Sequence, residues 1–89
     1  MEKRNSKTKV SLITLKKGES GRVAFINGGH GKGGRFEKRL MDMGLTPGTT
    51  VTVVKSAPFH GPLEVIVRGS RLALGRGMAE RIIVEKEKK

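Results

Sequence analysis

The sequence predicts a mostly β domain, a small barrel of about five antiparallel strands with one short helix after the first strand. Segments rich in β-branched residues recur along the chain and are separated by turn residues. Only residues 35–43 change to a clear helical period. With 89 residues there is room for one small domain, and closing its sheet would bury the apolar faces and remove exposed edges.

The first strand is predicted at residues 21–26 (GRVAFI), and a glycine-rich segment, residues 27–34, follows it. That segment contains the pattern G-x-G-x-x-G, starting at Gly29, which also occurs in dinucleotide-binding loops. A dinucleotide-binding loop needs a parallel second strand and an acidic residue about 20 positions further on. Neither is found here, so residues 27–34 are predicted to be a flexible connection.

The helix is predicted from apolar residues at helical spacing, which are Phe36, Leu40 and Met43. Gly44 suits the left-handed position just past a helix end, where Leu45 would pack back on Leu40 in a Schellman motif. The following segment TPGT, residues 46–49, places Pro and Gly at the central positions of a type II turn. The helix therefore leads directly into the next strand.

Four further strands are predicted, at residues 50–56, 63–68, 71–74 and 81–85. Gly69-Ser70 fits a two-residue hairpin connection of type II′, and a helical turn is expected around residues 76–80. The alternation of apolar residues predicts these core positions: Leu40, Val51, Val53, Val65, Val67, Leu74, Ile82 and Val84. These elements together favour an SH3-like barrel.

The predicted domain covers residues 10–85, between a disordered basic tail at 1–9 and a charged tail at 86–89. The net charge of +11 favours an anionic partner, which is nucleic acid, an acidic protein face or an acidic membrane surface. The chain has no cysteine, which excludes disulfides and thiolate metal sites. No apolar run approaches the roughly 20 residues of a membrane span, so a cytoplasmic protein is expected.

Four segments, in this order and spacing, resemble the FeoA family: LKKGESGRV, RLMDMGLTPGT, APFHGPLEVIVRG and RLALGRGMAERIIV. The resemblance extends from about Leu12 to Glu85. It implies an SH3-like barrel and a non-enzymatic, cytoplasmic, regulatory role in ferrous iron uptake. The implied partner is FeoB, the membrane ferrous iron permease with a cytosolic G-protein domain.

Two segments are candidates for the partner surface. On the helix, cations flank the apolar stripe and Met41 points away from it, an arrangement suited to an acidic protein face. A second contact is the tip of the loop at residues 57–62. The residues predicted to meet a partner are Arg35, Lys38, Arg39, Met41, Phe59 and His60. The alternatives are a merely solvated basic flank, and a Phe59 that folds back over the barrel end.

No cofactor, metal site or catalytic group is predicted. His30 and His60 are weak metal candidates, because a specific site needs three or four convergent ligands. No activated nucleophile or pair of catalytic acids is found, so the protein is predicted not to be an enzyme.

The alternative function is a small basic SH3-like module that binds RNA. Single-strand binders stack bases on exposed aromatic rings. This chain has only Phe25, Phe36 and Phe59, two of which are expected in the core, and that count argues against RNA.

Overall fold

The computed structural model describes residues 7–27, 35–57 and 61–87, with side chains described for 8–27, 38–57 and 61–86. The six strands are β1 (Lys7–Ser11), β2 (Ser20–Ile26), β3 (Thr50–Ser56), β4 (Leu63–Val67), β5 (Ser70–Leu74) and β6 (Ile82–Glu87). The described residues also form the helices α1 (Arg35–Asp42) and α2 (Arg76–Arg81) and a short 3-10 turn at Leu12–Thr14. The predicted β3 agrees with the observed strand at both ends.

The strands form one sheet in the order β1-β6-β2-β3-β4-β5, and every neighbouring pair is antiparallel. The mostly antiparallel class is therefore confirmed, with six strands where about five were expected. The prediction that the sheet closes into a barrel was wrong. The additional strand β1 occupies the edge of β6, and within the described ranges the outer edges of β1 and β5 stay unpaired.

Strand β1 begins inside the segment that was predicted to be a disordered tail. Its register places Lys9 opposite Glu85 and Thr8 opposite Lys86 on β6. The Lys9 Nζ lies 3.9 Å from the Glu85 Oε2. Residues 7–9 and 86–87 are thus strand, because each polar segment finds its partner at the other end of the chain.

The core lies on the inner face of the sheet and is closed by α1, α2 and the 3-10 turn. All eight predicted core positions are buried, none more than 1% exposed. The other buried apolar residues are Leu12, Leu15, Val23, Ile26, Leu45, Leu63 and Ala79. Their burial explains how a chain without disulfides holds a fold of this size.

A β-bulge turns Phe25 to the outside of the sheet. The register moves from Val23 opposite Val84 to Phe25 opposite Ile83, so β2 carries one extra residue between the two pairs. The side chains of Val23 and Ile26 point into the core on either side of the bulge, and Phe25 is 49% exposed. An exposed phenylalanine in this strand was not expected.

The β4–β5 turn differs from the predicted one by a single residue. Val67 pairs with Ser70, so the two central residues are Arg68 and Gly69. Their φ angles are 51° and 82°. Positive φ at both central positions defines type I′, whose twist matches that of the flanking strands. The predicted type II′ turn at Gly69-Ser70 was therefore wrong.

The turn before β2 is fastened to β6 by the carboxylate of Glu19. One oxygen accepts the backbone N–H of Lys16 at 2.7 Å, and the other accepts the Lys86 Nζ at 3.1 Å. The hydrogen bond from the Lys16 backbone N–H, followed by the one from the Lys86 side chain, lowers the pKa of Glu19. The charged form of Glu19 thus joins the turn before β2 to the last strand, β6.

Candidate functional site

The candidate site is built on α1, whose C-terminal end has a fixed geometry. The backbone N–H of Leu45 donates to the carbonyl oxygen of Leu40 at 3.0 Å, and that of Gly44 donates to Met41 at 2.9 Å. Gly44 has a φ of 99°. This pair of bonds is the predicted Schellman motif, and Leu40 and Leu45 are both fully buried.

The turn after α1 attaches the helix to the sheet. Thr49 N–H donates to the Thr46 carbonyl at 3.0 Å, and Gly48 has a φ of 92°, as the predicted type II turn requires. Gly48 N–H donates to the Val23 carbonyl at 2.7 Å, and Val23 N–H donates to Thr49 at 2.9 Å. The end of α1 therefore has a defined position against β2.

The outer face of α1 carries two cations and a thioether. Lys38 and Arg39 are exposed, and Met41 is 40% exposed, as predicted. The opposite face packs on the core through Leu40 and the half-buried Met43. In the part of the chain that the structure describes, no ion pair joins Asp42 to either cation. Lys38 and Arg39 are therefore available to an external acidic group.

Arg68, at the tip of the β4–β5 turn, lies over the C-terminal end of α1. Its Nη2 donates to the hydroxyl oxygens of Thr46 at 3.3 Å and Thr49 at 3.2 Å. These two hydroxyls are 2.8 Å apart, and a Cβ added to Gly44 would lie 3.4 Å from the Arg68 Cδ. A cation is favourable here because the helix dipole is negative at this end.

The sequence prediction did not include Arg68 among the site residues. One signal was available, since Arg68-Gly69 stands between two alternating segments where a turn must occur. The folded chain brings this turn next to the predicted helix surface, although Arg68 and Gly44 are 24 positions apart in the sequence.

Several predicted site residues lie outside the described positions. They are the loop residues His30, Phe59 and His60 and the side chain of Arg35. The side chain of Phe36, which was predicted on the apolar face of the helix, lies outside them too. The glycine-rich segment from residue 28 to 34 also lies outside them. Of the residues predicted to meet a partner, the structure therefore describes the side chains of Lys38, Arg39 and Met41, and Arg68 lies beside the end of their helix.

This surface combines positive charge with one exposed sulfur atom. Its groups are the Lys38 ammonium, the guanidinium groups of Arg39 and Arg68, and the exposed thioether of Met41. Among residues 7–27, 35–57 and 61–87, no three His, Cys, Asp or Glu side chains converge as metal ligands would. The same ranges contain no helix with the length and apolar character that crossing a membrane requires.

Comparison with known proteins agrees with this fold. The FeoA domain model matches residues 10–86. A protein of Methanocaldococcus jannaschii, provisionally named Fe(2+) transport protein A, is 36% identical over 74 residues, which are 83% of each chain. A fusion protein of Porphyromonas gingivalis, which joins Fe(2+) transport protein A to the transporter FeoB, is 38% identical over 52 residues. That match covers 58% of this chain and 6% of the fusion protein.

Solved FeoA structures share the architecture. A crystal structure of the iron uptake regulatory protein FeoA is 37% identical, with a TM-score of 0.75 over 89% of this chain and 97% of that one. FeoA of Stenotrophomonas maltophilia, crystallised with zinc and described as a prokaryotic SH3 domain protein, is 26% identical. Its TM-score is 0.72, over 88% of this chain and 96% of that one. The protein therefore belongs to the FeoA family, whose members are accessory proteins of ferrous iron transport.

Proposed function

We propose that this protein is a non-enzymatic, cytoplasmic regulator of ferrous iron uptake that docks on the cytosolic G-protein part of a FeoB-type permease and modulates it. The supporting observation is the Porphyromonas gingivalis relative, in which Fe(2+) transport protein A and FeoB are one polypeptide. A fusion keeps two domains at high local concentration, which favours a physical contact between them.

The contact surface in this proposal is the outer face of α1 with the Arg68 turn beside it. Met41 supplies apolar area, and Lys38 and Arg39 supply charge for an acidic face of the partner. The Schellman motif and the type II turn hold this surface in one geometry, so little ordering is needed when the partner binds. Arg35, Phe59 and His60 remain predicted contributors.

The experiment is calorimetric binding of the protein to the purified cytosolic G-protein domain of the FeoB from the same cell. It is run with GDP and with a GTP analogue, at low and near-physiological salt. Saturable binding that depends on the nucleotide and survives salt supports the proposal. Absence of binding under all four conditions would contradict it.

Matched variants locate the surface. Met41→Glu and Arg39→Glu should each weaken binding about tenfold or more, because they add an acidic group to the contact. Lys17→Glu makes a similar charge change at an exposed lysine in the turn before β2, and it should leave binding nearly unchanged. Equal losses in Lys17→Glu and Arg39→Glu would show that only the net charge matters.

A second candidate function, RNA binding, gains one observation from the structure. Phe25 is 49% exposed on a protein with a net charge of +11, so its ring offers a surface on which a base can stack. Affinity that rests on phosphate contacts falls steeply with salt. Binding of single-stranded RNA that survives near-physiological salt and is lost in Phe25→Ser would favour this function over docking.

A further inference from the structure

Strand β5 is an edge strand of the sheet that the described residues form. It pairs with β4 alone within the described residues. Val67 and Ser70 flank a two-residue turn and therefore exchange both of their backbone hydrogen bonds. The alternation of an antiparallel ladder then directs the N–H and C=O groups of Arg71 and Ala73 away from β4. These four groups have no partner among the described residues.

The side chains of β5 leave this edge accessible. Leu72 and Leu74 pack against the core, and Arg71 and Ala73 are exposed on the outer face. The strand contains no proline or lysine, and its register with β4 has no bulge. Proline, lysine and bulges usually protect an edge strand from pairing with another chain, and β5 lacks all three. At the other edge of the sheet, β1 carries two lysines, Lys7 and Lys9.

The charges around β5 favour an acidic occupant. The Arg71 side chain is 64% exposed, and its Nη1 is 3.9 Å from the Glu64 Oε1. Arg68 precedes the strand and Arg76 follows it. Of these three arginines, only Arg71 has an ion-pair partner among the described residues, and a basic strand that approached this edge would be repelled.

A second copy of this chain is a poor occupant for the same reason. Symmetric antiparallel pairing of two β5 strands about Leu72 brings Arg68 of one copy towards Arg76 of the other. This happens at both ends of the paired segment, and like charges opposite each other are destabilising. The edge is thus suited to a different, acidic strand.

We propose that the β5 edge binds an extended acidic segment of a partner protein by strand addition. The N–H and C=O groups of Arg71 and Ala73 would hydrogen-bond the segment, and Arg68, Arg71 and Arg76 would face its carboxylates. This binding uses the β5 edge in place of the face of α1, and Arg68 is the residue that the two proposed surfaces share. It is tested on the protein alone, so that either proposal fails without the other.

The probe is a short synthetic peptide that alternates glutamate with valine, and its control alternates lysine with valine. Amide hydrogen exchange of the full-length protein is followed by NMR at near-physiological salt. The acidic peptide should slow the exchange of the Arg71 and Ala73 amides about tenfold or more, because these donors gain partners. The lysine peptide should leave them unchanged.

Two changes test whether backbone hydrogen bonds hold the peptide at the edge of β5. Ala73→Pro removes one outward N–H, a substitution that edge strands tolerate, and should weaken binding about tenfold. Ala73→Val keeps that N–H and should bind like the original protein. The second change is in the probe, since N-methylation of alternate peptide residues removes its donors without altering the protein. The methylated acidic peptide should bind about tenfold more weakly.

Three results would overturn the proposal. The first is slowed exchange in β1 with none in β5, which places the peptide at the other edge. The second is binding that ignores both Ala73→Pro and N-methylation, which indicates charge attraction alone. The third is slowed exchange at β5 in the free protein together with a dimeric mass in sedimentation, which identifies a second copy as the occupant.

Discussion

The backbone N–H of Leu45 donates to the carbonyl oxygen of Leu40 at 3.0 Å, and the two side chains are fully buried together. This single bond ends α1, turns the chain towards β3 and fixes the helix face proposed to meet a partner. Its geometry depends on Gly44, which has a φ of 99°.

Replacing Gly44 is expected to cost stability. Gly44→Ala forces a side chain into a left-handed conformation, and the new Cβ would lie 3.4 Å from the Arg68 Cδ. We expect the free energy of unfolding to fall by about 1–2 kcal/mol, as measured by urea denaturation. A variant as stable as the original would show that the Schellman motif is not needed.

Arg68 is expected to have opposite effects on stability and on docking. Arg68→Asn places a residue that tolerates positive φ before Gly69, as type I′ turns prefer. The free energy of unfolding should rise by about 0.5–1 kcal/mol, because relief of backbone strain exceeds two long, exposed hydrogen bonds. Calorimetry should show weaker binding to the FeoB G-protein domain. A fall in stability would mean that the contacts with Thr46 and Thr49 outweigh the strain.

Gly21, on β2, lies against the Val84 side chain of β6. A Cβ added there would lie 2.7 Å from the Val84 Cγ2, closer than atoms can pack. Gly21→Ala should therefore lower the free energy of unfolding by about 1–3 kcal/mol. Gly77→Ala is the matched control, because nothing lies within 4 Å of the added Cβ in α2. It should be neutral or stabilising by up to about 1 kcal/mol.

The two hydrogen bonds to the Glu19 carboxylate are expected to make the free energy of unfolding depend on pH in the acid range. The backbone N–H of Lys16, and next the Lys86 ammonium, lower the pKa of Glu19 below its ordinary value of 4.5. The charged form therefore stabilises the fold above that value, and the contribution is lost as the pH falls through the folded pKa. Urea denaturation across this range should show the loss.

Two variants check this assignment. Glu19→Gln, which cannot ionise, should show a smaller loss of stability between neutral pH and pH values below 4.5 than the original protein. Lys86→Gln should retain most of the pH dependence, because the hydrogen bond from Lys16 is the larger cause. An unchanged pH profile in Glu19→Gln would show that other carboxylates control acid unfolding.

Local signals in the sequence were sufficient for several elements. The helix end at Gly44 and the turn at Pro47-Gly48 are decided by residues within a few positions of each other, because only glycine adopts their positive φ freely. The buried positions of β3 and β4 were also predicted from neighbouring residues, because alternate side chains of a strand point to opposite faces of the sheet. The exposure of Met41 followed from the helical period.

Long-range pairing decided the rest. The polar segment at residues 7–9 becomes a strand only because β6 presents Glu85 and Lys86 opposite it. Phe25 turns outward because the register with β6 contains a bulge. Gly69 could occupy either central position of a turn, and the pairing of Val67 with Ser70 selected the second one.

The sequence by itself determined the antiparallel β class, the core positions, the capped helix and the exposed Met41. These features depend on periodicity and on backbone conformations that a few neighbouring residues control. Only the tertiary structure decided the sixth strand, the open edges of β1 and β5, and the position of Arg68 over the end of α1. Those features depend on which distant segments pair, and that choice is made by the free energy of the whole sheet.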